Sequence, residues 1–441
     1  MADFGFTYKN TDDLLAHAKE LGGNLPYSQN IGALSRTVKI KDGPELKNAL
    51  AVHPMEGFDG REDGAPDELT FRRYERFAGG GASLIWFEAT AVQRDARTCS
   101  RQLWINRETL DEYKRMAEMI HEKSNGAKVI MQLTHSGRFS KPDNVPAPVI
   151  AYHNPIMNER FNINPSHPVV TDDYLDRLGE QFLVAAKLAQ EAGFDGVDIK
   201  SCHRYLLSEL TSAYTREGKY GGSYENRTRL MRDIVAAVSA EFSGEMIIGS
   251  RYSPYDGIEY PYGFGADHDD HTTVDLSESI KLLNELHALG LNIIDVTMGT
   301  PYFNPHVNRP YASGGYTPPE VPLTGVLRMI THTAELQRKF PDITFIGTGY
   351  TYLRHLAPYV AAGAVESGMV SMVGFGRMAF AYPDFANDIF TKGALEAKKC
   401  CLTCGKCTEI MRALGTTGCP IKDTEVYGAI YKERVTSQKK A

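Results

Sequence analysis

The chain lacks any long hydrophobic run. No uninterrupted apolar stretch approaches the roughly 20 residues that a bilayer-spanning helix needs. The charged start Met1-Ala-Asp-Phe is not followed by the apolar core of a secretory leader. Strong charge of one sign is missing too. A net charge of −7 over 441 residues, spread along the chain, supplies neither a basic groove for nucleic acid nor a polybasic membrane anchor. Cysteine is sparse, and four of the seven fall within residues 401–419, which is not the layout of a disulfide framework. These absences point to a cytoplasmic protein that acts on a small molecule.

What is present is most distinctive at those cysteines: Cys401-Leu-Thr-Cys404-Gly-Lys-Cys407, then Cys419-Pro420. Three thiols at two-residue spacing can wrap three corners of a 4Fe-4S cubane on one loop, and a distant fourth closes it. Zinc sites more often use two separated pairs, so structural zinc is the lesser alternative, with a redox dithiol behind it. Cys99, Cys202 and Cys400 are left over, and thiols that must stay reduced fit a reducing compartment.

Ahead of this segment, short β-branched or apolar runs alternate with longer amphipathic stretches, the pattern of βα units around a parallel sheet. Strands are expected at Ala49–Pro54, Ala82–Glu88, Lys128–Leu133, Gly196–Lys200, Met246–Arg251, Asn292–Val296, Thr344–Gly347 and Gly368–Val373. Helices are expected at Thr109–Lys123, Asp172–Ala192, Thr228–Phe242, Leu276–Leu289 and Arg328–Lys339, with Asp172 and Asp173 as caps of the second. Eight such repeats predict an α/β fold of the (β/α)8 TIM-barrel kind, with its chemistry at the C-terminal strand ends. The expected division is an N-terminal arm or cap (1–40) holding one short helix at Asp12–Glu20, a barrel (41–395), and an iron-sulfur segment (396–441). The excursions Phe139–Val169 and Tyr252–His271 are long for βα loops and are expected to be lids.

The motifs at the strand ends come in a telling order: His53-Pro-Met-Glu-Gly57, Glu88-Ala-Thr90, Gln132-Leu-Thr-His-Ser-Gly-Arg138, the run through Lys200-Ser-Cys-His203-Arg-Tyr205, Gly249-Ser-Arg251, Gly347-Thr-Gly349 and Gly374-Phe-Gly-Arg377. Each is weak alone. Together they resemble the old yellow enzyme family of flavin-dependent reductases, over roughly residues 45–420. The likeness is to the branch that carries a cluster, with dienoyl-CoA reductase, 2-enoate reductase and trimethylamine dehydrogenase. Glycines after the last two strands let backbone N–H groups approach a phosphate, which suits an FMN phosphate held by Gly347, Thr348, Gly349, Gly376 and Arg377. The resemblance implies that Pro54, Met55, Glu56 and Ala89 line the flavin ring, that Gln132 bonds its pyrimidine edge, and that Arg251 offsets the charge of the reduced ring. Glu56 departs from the small residue usual there.

The fourth strand carries the acid-base chemistry. By the same resemblance Tyr205 is the general acid, protonated at neutral pH and able to deliver a proton to one alkene carbon. His203 would bond and polarise the substrate's carbonyl. Lys200 stands where the family usually has a His; a cation there favours an enolate or carboxylate and repels an ammonium, unless it is spent on an ion pair with Glu56. Cys202 lies between alternate inward positions and is expected to face away from the barrel interior. Dienoyl-CoA reductase-like proteins continue into further nucleotide-binding domains, which this sequence does not show. The expectation is therefore that a ferredoxin, a flavodoxin or an NAD(P)H-oxidising subunit feeds the cluster of a homo-oligomeric reductase of an unsaturated carbonyl or carboxylate. An amine or ether dehydrogenase that passes electrons outward, and an electron-transfer subunit without its own substrate, are the alternatives.

Overall fold

The computed structural model describes residues 5–311 and 316–437, so the outermost residues of the expected arm and cysteine segment fall outside it. Eight parallel strands close into a barrel: β1 (Leu50–Val52), β2 (Leu84–Ala91), β3 (Lys128–Thr134), β4 (Gly196–Ile199), β5 (Ile247–Tyr252), β6 (Ile293–Val296), β7 (Thr344–Gly347) and β8 (Met372–Phe375). Closure comes from β8, where Val373 sits beside Leu50 of β1. Side chains point alternately into the barrel and against the surrounding helices, so both faces of each strand are buried. This explains why β2 opens as the continuous apolar run Leu84-Ile-Trp-Phe. The fold is the expected (β/α)8 barrel.

Several boundaries differ from those expected, each for a local reason. Gly368 has φ +71° and its N–H bonds the Val365 carbonyl, so it closes the helix Ala357–Glu366 and the last strand starts only at Met372. Pro322 opens the helix Pro322–Lys339 at its first turn, ahead of the expected Arg328. The Thr171 hydroxyl, not an aspartate, caps Asp172–Glu191 by accepting the Tyr174 N–H at 3.1 Å; Asp172 instead binds Arg216 and the Lys219 N–H. The helix Glu68–Ala78 was not anticipated. Its signal was present, an Asp67–Thr70 capping box followed by Thr70, Tyr74, Phe77 and Ala78 on one buried face, but three arginines interrupt it.

Residues 5–46 pack on the chain's own barrel. Their helix Thr11–Glu20 buries Leu14 and Ala18, Leu34 accepts the Ala49 N–H at 2.9 Å just before β1, and the Ser28 N–H reaches Tyr359 at 3.0 Å. At the other end, the chain beyond the helix Phe385–Lys392 returns across the C-terminal strand ends. Asp423 takes bonds from Arg72 at 2.7 and 3.1 Å and from Arg76, and the Thr417 N–H bonds Gly57 at 2.6 Å. Among the described residues no helix is long and apolar enough to cross a membrane.

Candidate active site

A cavity of about 700 Å³ opens at the C-terminal strand ends. Of the residues expected to bind cofactor or substrate, Pro54, Met55, Glu56, Gln132, Lys200, His203, Tyr205, Arg251, Thr348, Gly349, Gly376 and Arg377 line it. Ala89 and Gly347 do not reach it. Ala89 sits in the irregular register of β2 between Phe87 and Thr90, with its carbonyl bonded to Gln102 at 3.0 Å. Gly347 is covered by Tyr350 and Val370, whose side chains lie 3.1 Å from where a Cβ would stand.

Two buried carboxylates organise the floor, and sequence reasoning passed over both. Asp198 on β4 receives Gln132 Nε2 at 2.6 Å, Trp86 Nε1 at 2.7 Å and the Arg251 N–H at 2.7 Å. Burial, partly offset by these bonds, pushes its carboxyl up to about 6. The bond to Asp198 fixes the orientation of the Gln132 amide. Asp295 on β6 holds His53 Nδ1 at 3.0 Å and lies 3.8 Å from Arg251, which also donates to the Pro54 carbonyl at 3.1 Å. An acidic residue between apolar neighbours on a barrel strand was the available signal, since a buried charge needs partners.

The chain leaves β4 through a turn that aims the acid-base residues. His203 and Arg204 take φ +63° and +61°, a conformation unusual for side-chain-bearing residues. Arg204 pins the turn by binding Asp256 at 2.9 Å, Tyr152 at 2.9 Å and Ser212. His203 is half-buried, and desolvation of its ring together with Lys200, Arg251 and Arg309 drives its pKa well below the usual histidine value, so the ring is neutral at pH 7. Its Nε2 has no hydrogen-bond partner among the described residues. Tyr205, about 1% exposed, donates to Glu56 Oε1 at 3.1 Å and lies 3.0 Å from the Tyr302 hydroxyl. Burial, then Glu56 and Tyr302, hold Tyr205 well above the ordinary phenol value. Lys200 is not an open cation: its ammonium lies 3.7 Å from Glu56 Oε1 and 4.0 Å from the centroid of the Tyr205 ring. Cys202 lies off the cavity wall, and burial pushes its thiol up to about 12, so it is no thiolate nucleophile.

At the ends of β7 and β8 the wall is built for close approach. A Cβ on Gly374 would stand 2.2 Å from His53 Cε1, and one on Gly376 2.9 Å from the Met55 sulfur. Arg377 and Arg309 join this end, and no carboxylate lies within ion-pair distance of either among the described residues. Burial, reinforced by Arg377, pushes Arg309 down to about 10. Guanidiniums without a carboxylate partner, Arg377 donating only to the Pro310 carbonyl at 3.4 Å, stand beside bare backbone as the donor set that a phosphate needs, and the unpartnered His53 Nε2 and Arg251 Nε in the floor suit a polar ring system above them. The residues present therefore fit FMN.

The lids only partly follow expectation. Phe139, Arg160, Phe161 and Ile163 of the first excursion line the cavity, with a short helix Pro155–Phe161 inside it. No residue of Pro254–His271 does; Asp256 is spent on Arg204. The second flap is instead the loop after β6, through Pro301, Tyr302, Asn308, Arg309 and Pro310, and Tyr302 stacks on Phe139 at 3.8 Å.

Cys401, Cys404, Cys407 and Cys419 face one small space of about 20 Å³, and Cys407 also lines the large cavity. Among the described residues no three His, Cys, Asp or Glu side chains lie close enough to grip a single metal ion. The Thr403 N–H donates to Cys401 Sγ at 3.4 Å, and backbone N–H groups of Ile421 and Lys422 face Cys419. Burial pushes Cys401 up to about 12 and Cys419 to about 11, so a positive centre is what would turn them into thiolates.

A barrel with cofactor-sized space, and with glycines and arginines at the ends of its last two strands, has the form of a flavin-dependent oxidoreductase, and the family match puts the chain in that class. Residues 34–395 match the model of the NADH:flavin oxidoreductase / NADH oxidase family, and the chain belongs to it. An NADPH dehydrogenase of Listeria welshimeri is 31% identical over 75% of this chain and 93% of its own length. Among solved structures, 2-naphthoyl-CoA reductase in complex with 2-naphthoyl-CoA matches with TM-score 0.73 and 18% identity over 91% of this chain, which spans 58% of that longer one. The old yellow enzyme homologue from Zymomonas mobilis matches with TM-score 0.61 and 22% identity over 83% of this chain and 94% of its own.

Proposed function

We propose that this protein reduces a carbon-carbon double bond conjugated to a carbonyl or carboxylate, using FMN and a 4Fe-4S cluster that an external ferredoxin, flavodoxin or NAD(P)H-oxidising subunit reduces. The observation that carries the reading is that Tyr205, His203 and the phosphate cradle share one cavity whose wall includes Cys407. Bound FMN supplies the hydride. The neutral His203, through its unpartnered Nε2, is placed to bond the activating oxygen, and Tyr205 supplies the proton to the adjacent carbon. Phe139 and Tyr302 stack beside them on the lid side of the cavity. With FMN bound, Arg251 would offset the charge of the reduced ring and Gln132, oriented by Asp198, would bond the ring's polar edge. Thr348, Gly349, Gly376 and Arg377 take the phosphate. Cys401, Cys404, Cys407 and Cys419 hold the cluster. The fold neighbour that binds 2-naphthoyl-CoA, an unsaturated thioester, supports this substrate class. So many arginines on the wall disfavour the dehydrogenation of a cationic amine.

Anaerobic purification with analysis of flavin, iron, sulfide and zinc tests the cofactors. FMN with about four irons and four sulfides per chain is the expected content. Zinc in their place removes the cluster from the reading. Chemically reduced protein mixed with cyclohex-2-enone or cinnamate tests the reaction. Tyr205→Phe should slow reoxidation of the flavin by about 100-fold while leaving flavin reduction intact. Equal loss of both half-reactions refutes the assignment of Tyr205.

A further inference from the structure

Resting on the alkene-reduction reading above, the geometry points to a role for Glu56 that the motif comparison did not supply. We propose that Lys200, Glu56 and Tyr205 form a proton relay, in which Lys200 stores the proton that Glu56 returns to Tyr205 after each turnover. The three come from separate segments, the chain after β1, the end of β4 and the turn beyond it, yet they meet at one oxygen. Glu56 Oε1 accepts the Tyr205 hydroxyl at 3.1 Å and faces the Lys200 ammonium at 3.7 Å. Glu56 is the single carboxylate among the described residues on the cavity wall, and Lys200 has no other ion-pair partner among them.

A buried general acid has a supply problem. Tyr205 gives its proton to the substrate and is left as a phenolate, about 1% exposed and without direct access to solvent. Lys200 sits over the face of that ring at 4.0 Å, where its charge stabilises the phenolate as it forms. Through one water bridging the 3.7 Å gap, an N–H bond of Lys200 then breaks as an O–H bond forms on Glu56, and Glu56 passes its proton to the Tyr205 oxygen. The triad ends with tyrosine protonated, glutamate ionised and lysine neutral. Water reaching the cavity through the partly exposed Glu56 reprotonates the amine. The sum over a turnover is one hydride and one solvent proton added across the alkene. Tyr302, 3.0 Å from Tyr205, shares the hydrogen bond but stacks on Phe139, so it closes the lid side of the relay.

Glu56→Gln tests this. The amide keeps the size and a hydrogen-bond acceptor for Tyr205 but cannot carry a proton. Protein pre-reduced with dithionite is mixed with cyclohex-2-enone in a stopped-flow instrument, and multiple turnover is followed with excess dithionite as the electron donor. Since Tyr205 starts protonated, the first turnover should stay within about two-fold of wild type, while steady-state turnover falls at least about ten-fold. The variant should thus show a burst of one product per active site, with a larger solvent isotope effect on the slow phase. Glu56→Asp should restore part of the steady state, and flavin content confirms that both variants fold. A variant with no burst and wild-type turnover overturns the relay, and so does equal slowing of the first and later turnovers, which would make Glu56 a positioning residue only. A wild-type protein inert to enone and to cinnamate alike overturns the reduction reading and the relay with it, a result distinct from an active wild type with an indifferent variant.

Discussion

Glu88 offers a test in which the protein's stability reads out one buried proton. Its two oxygens accept the Gly57 N–H at 2.6 Å and a bond from Arg73, and Arg73 simultaneously holds Asp59. Two carboxylates thus compete for one guanidinium, all three side chains being at most 2% exposed. Burial raises Glu88, Arg73 pulls it down and Asp59 pushes it up again, leaving it near 7 against an ordinary 4.5. Because the folded-state value is the higher, the folded protein holds this proton more tightly than the unfolded chain does. The associated stability is complete below about 4.5 and is lost as pH rises through 7, which amounts to as much as about 3 kcal/mol by pH 8. That is a large fraction of the roughly 5–15 kcal/mol that holds a domain together. His135, lowered by burial to about 4, acts with the opposite sign: its contribution is present above the ordinary histidine value and lost as pH falls. It does so equally in wild type and variant. Urea unfolding at fixed flavin concentration, from pH 5 to 8.5, should show the wild-type midpoint falling relative to that of Glu88→Gln as pH rises, since His135, His203 and Asp198 contribute alike to both. Glu88→Gln should start lower, because its amide turns an N–H toward either Arg73 or Gly57, and should lose less over the same range. Parallel curves for the two proteins would refute the reasoning.

Two further outcomes follow from packing. Gly374→Ala puts a Cβ 2.2 Å from the imidazole of His53, which Asp295 pins at 3.0 Å, so the ring cannot step aside freely. Purified variant should carry less flavin and be destabilised by about 1–3 kcal/mol, read from flavin per chain and the urea midpoint. Asp423→Ala removes the anchor of Arg72 and Arg76, which are each about a third exposed, so the screened loss is about 1–2 kcal/mol. It should fall on docking of the cysteine segment, seen as faster limited proteolysis between residues 393 and 405 with the barrel left intact.

The barrel was legible because its signal is periodic and redundant. Apolar strands recur eight times with amphipathic stretches between most of them, and an error such as Gly368 at the last strand shifts a boundary without changing the topology. Glu68–Ala78 escaped because its arginines reach the Asp59, Glu88 and Asp423 partners that only the folded chain supplies. Most strand-end residues were legible for a geometric reason: whatever lies at the C-terminal end of a barrel strand faces the same mouth. The exceptions mark where that rule fails. The bulge in β2 turns Ala89 away, and Tyr350 roofs Gly347. The pairing Lys200–Glu56–Tyr205 and the hubs Asp198 and Asp295 depend on which side chains meet across the barrel, and chain order does not encode that. The loops show the same limit, since length alone did not tell the lining excursion at Phe139–Ile163 from the one that props Arg204.

The cysteine segment supplies Cys407, Thr408, Met411 and Thr417 to the cavity wall while Thr416 and Thr417 grip the loop at Gly57 and Asp59. Occupancy of the cavity and attachment of the segment are therefore reciprocal: an occupant that bonds to those side chains strengthens the attachment by the same free energy that the attachment adds to its binding. A protease acting on the segment becomes a gauge of cofactor saturation, and reagents that loosen the cysteines will register first as flavin escaping from the barrel.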